Sequence, residues 1–367
     1  MRKVYLPRLI CSLAVLALPL FNFGQAANQH KKEAAKEEAK SAFLHDLDSA
    51  RQGDLQAKLR VGRAYNEGVV VWRNAQEAAW WFQQASDDGS MEATARLGAL
   101  YVFGGSPLQD IPNGTALLQK AVDADNPIGL RFMGARYAAG IATPADPAKA
   151  VEFYLRAIAQ KDPESHARLG RMYWGGLGVP KDPEKAFALF TAGAQLGDQW
   201  SQLNLGQMYE SGFAPKPASP ARAAAAVPQP QAAKPNYAKA RVLFIASASQ
   251  GNRVAEYELG RIYELGLGAA RDYGQSFEFY KQSAMQRYVP AIIAVGRAHE
   301  LGRGTAVNLI HAHVAYSQAV EYSQGRFGGK QLHHVESRLS SAELQHAHDM
   351  LKAFEEASEA ALSRSLK

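Results

Sequence analysis

Apolar residues recur three and four positions apart along most of this chain, which is the spacing of one face of an α-helix. The clearest example lies in residues 167–198. There Leu169, Met172 and Tyr173 form one stripe, and a second stripe follows over residues 186–194. The glycines and prolines between the two stripes end one helix and favour a turn. The pattern therefore predicts a pair of helices, helix A and helix B, joined by a short connection.

This pair recurs along the chain in a fixed register. Helix A of each copy carries a glycine that follows an apolar residue; five of the six intervals between these glycines are 36 residues long, whereas the interval from Gly206 to Gly260 is 54. A tyrosine comes three residues after the glycine in every copy but the last, which has His299. The register glycines are Gly62, Gly98, Gly134, Gly170, Gly206, Gly260 and Gly296. A constant period of this length predicts a solenoid of stacked repeats.

The register glycine needs a structural reason. Glycine inside a helix lowers helix stability by about 1 kcal/mol relative to alanine. We therefore expect helix B to approach helix A closely at this residue. A single pair cannot bury its own apolar face, so neighbouring pairs must stack on one another.

The fourth copy carries a resemblance to a known family. Residues 169–178 read LGRMYWGGLG, and residues 185–198 read KAFALFTAGAQLGD. This pattern resembles the Sel-1-like repeat, a relative of the tetratricopeptide repeat. The resemblance implies an all-α, right-handed superhelical solenoid of antiparallel helix pairs, made of seven 36-residue repeats plus caps. It also implies a scaffold that holds other proteins. We expect this chain to bind them on its concave helix-A face and to have no enzymatic activity.

The register divides the chain into four segments. They are a signal peptide over residues 1–26, a charged tether and N-terminal capping helix over 27–54, the repeat solenoid over 55–325, and a C-terminal capping helix over 326–367.

The long interval contains an insertion rich in proline and alanine at about residues 214–236. Such a composition cannot build a core. Because the helix-B pattern resumes after it, we place the insertion between helices A and B of the fifth repeat; a linker between domains is the alternative.

The first residues indicate the location of the protein. Arg2, Lys3 and Arg8 precede an apolar run over residues 9–21, and a small-x-small cleavage site ends at Ala26, as in a secretory signal. The run is shorter than the roughly 20 residues that span a bilayer. We expect cleavage after Ala26, a periplasmic or secreted mature protein, and no transmembrane segment in it. An uncleaved anchor is the alternative.

Composition argues against several classes of function. Loss of the leader lowers the formal net charge from +6 to +3, which is not the clustered excess of a nucleic-acid binder. Cys11, inside the leader, is the only cysteine, so the mature chain has no disulfide and no cysteine metal ligand. Some secreted members of the family are described as β-lactam-hydrolysing and carry a cysteine pair in each repeat. A β-lactamase-like hydrolase is therefore the alternative function that the resemblance implies, and this chain lacks those cysteines.

Histidines are concentrated near the C-terminus, where seven of the ten lie between His299 and His348. Imidazoles bind transition metals. Residues two apart on a helix point about 200° apart, so a pair such as His311 and His313 cannot hold one ion from one helical face. Sequence motifs of serine and zinc hydrolases are also absent. We therefore predict no metal, no cofactor and no catalytic residue.

Arginines near the register glycine are the main candidates for contact with a partner. The candidate partner-binding residues are Arg63, Arg136, Arg171, Arg261, Arg297, Trp72 and Trp200. Equivalent arginines of a solenoid line up, and such a row suits an acidic protein or an anionic envelope polysaccharide. The spacing favours a second interpretation, local ion pairing within each helix, and the available pairs are Arg63–Glu67, Arg261–Glu264 and Arg297–Glu300. Arg171 has no such acidic neighbour.

The tyrosines of the register and the adjacent aromatic pairs, Trp80–Trp81 and Phe153–Tyr154, fall at packing positions. We predict that they belong to the core and do not line a ligand site. The leading functional hypothesis is a scaffold or adaptor that binds other proteins of the bacterial cell envelope. An anionic polysaccharide remains an alternative partner.

Overall fold

The computed structural model describes residues 23–68, 70–71, 73–213 and 234–365. Within these ranges every regular element is a helix. The chain divides into two compact units, with the boundary between Ala145 and Asp146.

The first unit contains six helices, namely α1 (Phe23–Arg51), α2 (Leu55–Glu67), α3 (Ala75–Asp87), α4 (Met91–Phe103), α5 (Ile111–Asp123) and α6 (Pro127–Ala139). The second unit, from Asp146 to Glu356, begins with α7 (Pro147–Ala159), α8 (Pro163–Gly175), α9 (Pro183–Gln195), α10 (Gln199–Glu210) and α11 (Tyr237–Ala248). It continues with α12 (Arg253–Leu265), α13 (Tyr273–Met285), α14 (Val289–Leu301), α15 (Leu309–Tyr322) and α16 (Gly329–Glu336), and it holds α17 (Ser341–Ser365) up to Glu356. Successive helices pack against each other from α1 to α6 in the first unit and from α7 to α16 in the second. The predicted all-α fold of consecutive helix pairs is confirmed.

Local sequence sets the ends of these helices. Most helices begin after a capping side chain; Asp182, for example, accepts a hydrogen bond from the backbone N–H of Lys185 at 3.0 Å, and Pro183 occupies the first turn of α9. Such a cap stabilises a helix by about 1 kcal/mol. At the other end, Gly176 closes α8 in the left-handed conformation, with φ at 67°. These start and stop signals give short helices of 12 or 13 residues.

The register glycine lets the two helices of a pair touch. A Cβ atom on Gly170 would lie 2.5 Å from the ring of Phe190, and one on Gly296 would lie 2.6 Å from the ring of Tyr316. Both rings are almost fully buried. The same contact joins Gly62 to Phe82, Gly206 to Phe244 and Gly260 to Tyr280. The predicted close approach of helix B to helix A is confirmed in these five pairs.

A backbone hydrogen bond closes the connection between helices A and B, which we call the neck, in six of the pairs that the structure describes. The N–H of the residue that caps helix B donates to the carbonyl oxygen of the register tyrosine, as from Asp182 to Tyr173 at 2.9 Å. The last pair has the same bond, from Asn308 to His299 at 2.8 Å. Because the acceptor is a main-chain oxygen, the side chain at this register position does not affect the bond.

The fifth pair keeps this neck across the insertion. Asn236 donates to the carbonyl oxygen of Tyr209 at 2.8 Å, and helices α10 and α11 pack against each other. Residues 214–233 of the predicted insertion lie outside the described residues. The helices on either side of it therefore pair as they do in the other repeats.

Helices outside the repeats cover both ends. In α1, Phe43 and Leu47 are buried in a cluster with Val61 and Trp81. Most of the predicted signal peptide, residues 1–22, lies outside the described residues. At the C-terminus the pattern predicted one capping helix, whereas the structure has two, α16 and α17. No helix in the described ranges combines the length and the apolar character needed to cross a bilayer.

Candidate functional site

Charged residues at two register positions of helix A form a row in the second unit. The arginine directly after the register glycine reaches the glutamate on helix A of the preceding repeat. Arg261 Nη1 lies 3.4 Å from Glu210 Oε1, and Arg297 Nη2 lies 3.1 Å from Glu264 Oε2. We call this set the Arg–Glu row; its members are Glu210–Arg261 and Glu264–Arg297, and Arg338, which follows α16 in the C-terminal cap, extends it by contacting Glu300. The row fastens neighbouring repeats along one face.

Glu264 is the most heavily bonded member of the row. It accepts hydrogen bonds from the Tyr280 hydroxyl at 2.8 Å and from Arg303 at 3.2 Å, in addition to the contact with Arg297. Burial and the neighbouring carboxylate raise the pKa of Tyr280 above its ordinary value. Tyr280 therefore stays protonated and serves as a hydrogen-bond donor.

The row stops between the fourth and fifth repeats. At that point the glutamate position of the fourth repeat holds Trp174. The arginine position of the fifth repeat holds Gln207. No ion pair joins α8 to α10 at these positions, and a cavity of about 230 Å³ opens between the two helices. We call this cavity the groove. Its lining residues are Arg171, Trp174, Gly175, Leu177, Phe190, Asn204, Gln207 and Met208.

The groove has an apolar floor and a cationic edge. Phe190 and Met208 are almost fully buried beneath it, whereas Trp174 and Leu177 are 36% and 59% exposed at its rim. Its lining residues include no carboxylate. The guanidinium of Arg171 is exposed and has no hydrogen-bonding or ionic partner among the described residues. The groove therefore offers one positive charge next to an apolar surface.

The two amide side chains of the groove are partly engaged. Asn204 Nδ2 donates to the carbonyl oxygen of Trp200 at 2.6 Å. The Gln207 side chain lies near the Glu258 carboxylate and opposes the rise in its pKa, and only the amide nitrogen of Gln207 can donate to a carboxylate. The side-chain oxygens of both residues thus remain as hydrogen-bond acceptors.

The other predicted partner-binding residues are in different settings. Arg63 pairs with Glu67 at 3.8 Å, as the local alternative predicted. Arg136 is a correction: it is buried, stacked over Tyr137 at 5.3 Å, and therefore not available at the surface. Trp72 lies outside the described residues.

Two predicted local pairs are wrong. Arg261 contacts Glu210 and Glu258 and Arg297 contacts Glu264, rather than the glutamates three residues further along their own helices. Stacking of the repeats brings the carboxylate of the preceding helix A closer. Both candidate arginines are therefore neutralised within the protein.

The aromatic residues are divided between the core and the surface. Tyr154 and Trp81 are buried as predicted, but Trp80 is 52% exposed. Adjacent residues of a helix point about 100° apart, so the two tryptophans cannot both face the core. Trp200 is 39% exposed on α10.

The histidine-rich end forms contacts between rings. His299 and His311 lie 5.0 Å apart between ring centroids, and His313 lies 5.5 Å from His348. Among the residues that the structure describes, no three metal-binding side chains are placed to hold one ion. Burial, and then the charge of His311, lower the pKa of His299 to about 4.

This lowered pKa gives a testable pH dependence. Because the pKa of His299 is lower in the folded than in the unfolded protein, the unfolded chain takes up a proton first as the pH falls. The contribution of His299 to stability is therefore fully present above its ordinary pKa of 6.5 and is lost as the pH falls toward 4. We expect the wild-type protein to lose about 1 to 2 kcal/mol of unfolding free energy over this window from His299. His299→Tyr, which restores the register residue, should reduce that loss. Urea denaturation at pH 7 and pH 4.5 measures it, and an unchanged pH dependence would contradict the assignment to His299.

Comparison with known protein families identifies the repeat. The family model described as the Sel1 repeat matches residues 55–90, 92–126, 127–162, 163–198, 201–225, 231–252 and 253–288. The chain belongs to the Sel1 repeat family. The segments 201–225 and 231–252 hold the two helices of one pair on either side of the insertion. The pair α14–α15 lies beyond the last match, yet it keeps the Gly296–Tyr316 contact. Sel1 repeat proteins generally serve as non-enzymatic scaffolds that bind other proteins.

Solved structures of bacterial proteins share the fold. The chain is similar to c5321, a protective antigen present in uropathogenic Escherichia coli strains, with 22% identity, a TM-score of 0.60, and coverage of 93% of this chain and 72% of that chain. It is also similar to a Sel1 repeat protein from Oxalobacter formigenes, with 26% identity, a TM-score of 0.48, and coverage of 71% and 99%. A search of curated proteins found no match. The likeness to c5321 concerns the fold alone.

Proposed function

We propose that this Sel1 repeat protein is a scaffold of the bacterial cell envelope that holds a partner protein in the groove and performs no chemistry. The observation that carries the proposal is the interruption of the Arg–Glu row at Trp174 and Gln207, where a cavity replaces the ion pair. The secretory leader that the sequence predicts would place the protein in the periplasm or outside the cell.

The size of the groove favours a protein partner over a small-molecule ligand. Pockets for cofactors and drug-sized ligands usually measure about 300 to 1,000 Å³. The groove measures about 230 Å³, which suits one or two side chains. Partly exposed tryptophans are also typical anchors at protein interfaces, and Trp174 stands at the rim beside Leu177.

Photo-crosslinking in cells tests this proposal. A photoreactive amino acid at Leu177, on the rim, should form a discrete covalent adduct with an envelope protein. The matched control is Val242 on α11, which is similarly exposed, at 62%, and does not line the groove. The double substitution Trp174→Glu with Gln207→Arg, which reproduces the pairing of Glu210 with Arg261, should close the groove and remove the adduct. The absence of a discrete adduct at Leu177, the same adduct at both positions, or an adduct that survives the double substitution would contradict the proposal.

A further inference from the structure

We infer that the groove recognises an extended protein segment in which a carboxylate lies next to an apolar side chain. This inference rests on the proposed function and names the chemical class of the partner. Three properties of the groove carry it: the charge of Arg171, the apolar floor, and the acceptor oxygens of two amides.

The charge of Arg171 selects the carboxylate. In the later repeats the equivalent arginines, Arg261 and Arg297, each bind a glutamate of the protein itself. Arg171 occupies the same register position without such a partner. Lys181, whose ammonium lies 6.0 Å from the ring centroid of Trp174, adds a second cation near the rim. A guanidinium binds a carboxylate through two parallel hydrogen bonds, so an acidic group of the partner would supply what Glu210 and Glu264 supply elsewhere.

The apolar floor of the groove favours an apolar side chain next to the carboxylate of the partner. Phe190 and Met208 lie beneath the groove, and Trp174 and Leu177 form its walls. Filling such a cavity with an aliphatic or aromatic side chain removes apolar surface from water on both partners, which contributes roughly 25 cal/mol for each Å² buried. The methionine adapts to side chains of different shape.

The amide oxygens suit a peptide main chain. Asn204 already uses its amide nitrogen in a bond within the protein, and Gln207 has the Glu258 carboxylate as a neighbour for its own amide nitrogen. Their oxygens accept hydrogen bonds, and an extended peptide presents N–H donors that would otherwise lose their water on binding. The groove thus complements the acceptor carboxylate and the donor main chain of the same segment.

The same contacts argue against an anionic polymer as the partner. A polymer with regularly spaced charges requires a row of free cations. Two arginines of the row are neutralised by Glu210 and Glu264, and among the candidate arginines in the described part of the second unit only Arg171 lacks an acidic contact. The free guanidinium of Arg171 and the neighbouring ammonium of Lys181 form a local pair of cations and not a row along the repeats, which matches a short acidic segment.

Binding of defined peptides tests the inference. The probes are fluorescein-labelled eight-residue peptides in matched sets: Leu or Phe followed by Asp, the same peptides with Asn, and a set ending in Leu with either a free carboxylate or an amide. Fluorescence anisotropy with the purified full chain measures Kd, and polygalacturonate serves as the anionic glycan. We expect at least one carboxylate peptide to bind tenfold or more tightly than its amide counterpart. We also expect Arg171→Glu to abolish this binding.

Arg63→Glu is the matched control, because Arg63 holds the same register position in the first repeat and lies outside the groove. Its binding should equal that of the wild type. Equal affinity for carboxylate and amide peptides, no binding of any carboxylate peptide, or tighter binding of polygalacturonate that Arg171→Glu removes would each overturn the inference.

The crosslinking and peptide experiments fail in different ways. If Leu177 crosslinks to an envelope protein and the closing substitutions remove the adduct, the proposed function stands. Peptides that then show no carboxylate preference would refute only the inference about the class of partner.

Discussion

Replacement of Gly304 by alanine should lower the free energy of unfolding by about 3 kcal/mol. Gly304 lies in the turn after α14 with φ at 77°, and a Cβ atom there would collide with the backbone carbonyl of Tyr273 at the start of α13. The left-handed conformation alone costs an alanine roughly 1 kcal/mol. Collision with a backbone atom adds roughly 2 kcal/mol, because a carbonyl at a helix start cannot rotate aside as a side chain can. Urea denaturation followed by circular dichroism measures the change.

Gly325→Ala separates the two contributions. Gly325 has a similar φ of 80°, but nothing lies within 4 Å of the Cβ position. This variant should lose only about 1 kcal/mol. Equal losses of unfolding free energy in the two variants would show that the contact of Gly304 with Tyr273 in the preceding repeat adds nothing to the cost of the substitution.

Removal of the charge on Glu264 should have the second largest effect, a loss of about 2 kcal/mol for Glu264→Gln. The carboxylate is only 11% exposed. It accepts hydrogen bonds from Tyr280, Arg297 and Arg303. The amide of glutamine accepts fewer hydrogen bonds and leaves two arginines near each other without a counter-charge. The expected loss lies below the range for fully buried ion pairs because Arg297 and Arg303 are both more than 40% exposed.

Glu67→Gln provides the control for this substitution. Glu67 pairs with Arg63 at 3.8 Å, and about half of each side chain is exposed. Such pairs contribute little, so the expected loss is below about 0.5 kcal/mol. Amide hydrogen exchange in α12 to α14 should increase in Glu264→Gln before global unfolding. Unchanged exchange there would argue that Glu264 does not fasten these repeats.

The repeat itself could be predicted because its signals are local and recur. Gly170 and Tyr173 fix the register in the sequence, and the Gly170–Phe190 contact confirms the reason for the glycine. The capping residues and the left-handed glycines likewise act within a few residues of the chain. Such features depend on short-range geometry, which spacing alone reveals.

Contacts between repeats were harder to predict because they depend on how the pairs stack. The sequence placed Glu264 within reach of Arg261, whereas stacking brings Glu264 to Arg297. Burial of Arg136, by contrast, follows from the register, because Arg136 lies two residues after Gly134, at the position that holds the buried Met172 and Met208 in other repeats. One signal for the groove was present. Trp174 and Gln207 are exceptions at register positions where later repeats have Glu and Arg, and comparison of these positions between repeats would have revealed them.

The backbone bond at the neck of these six pairs has an evolutionary consequence. In the fifth pair, the bond from Asn236 to Tyr209 holds the two ends of the connecting segment together at 2.8 Å, although that segment is 18 residues longer than the register requires. Sequence added beyond the neck therefore does not change the spacing of the helices. We therefore expect that a foreign loop or domain can be inserted at such a neck, in evolution or by design, while the stacked repeats keep their register.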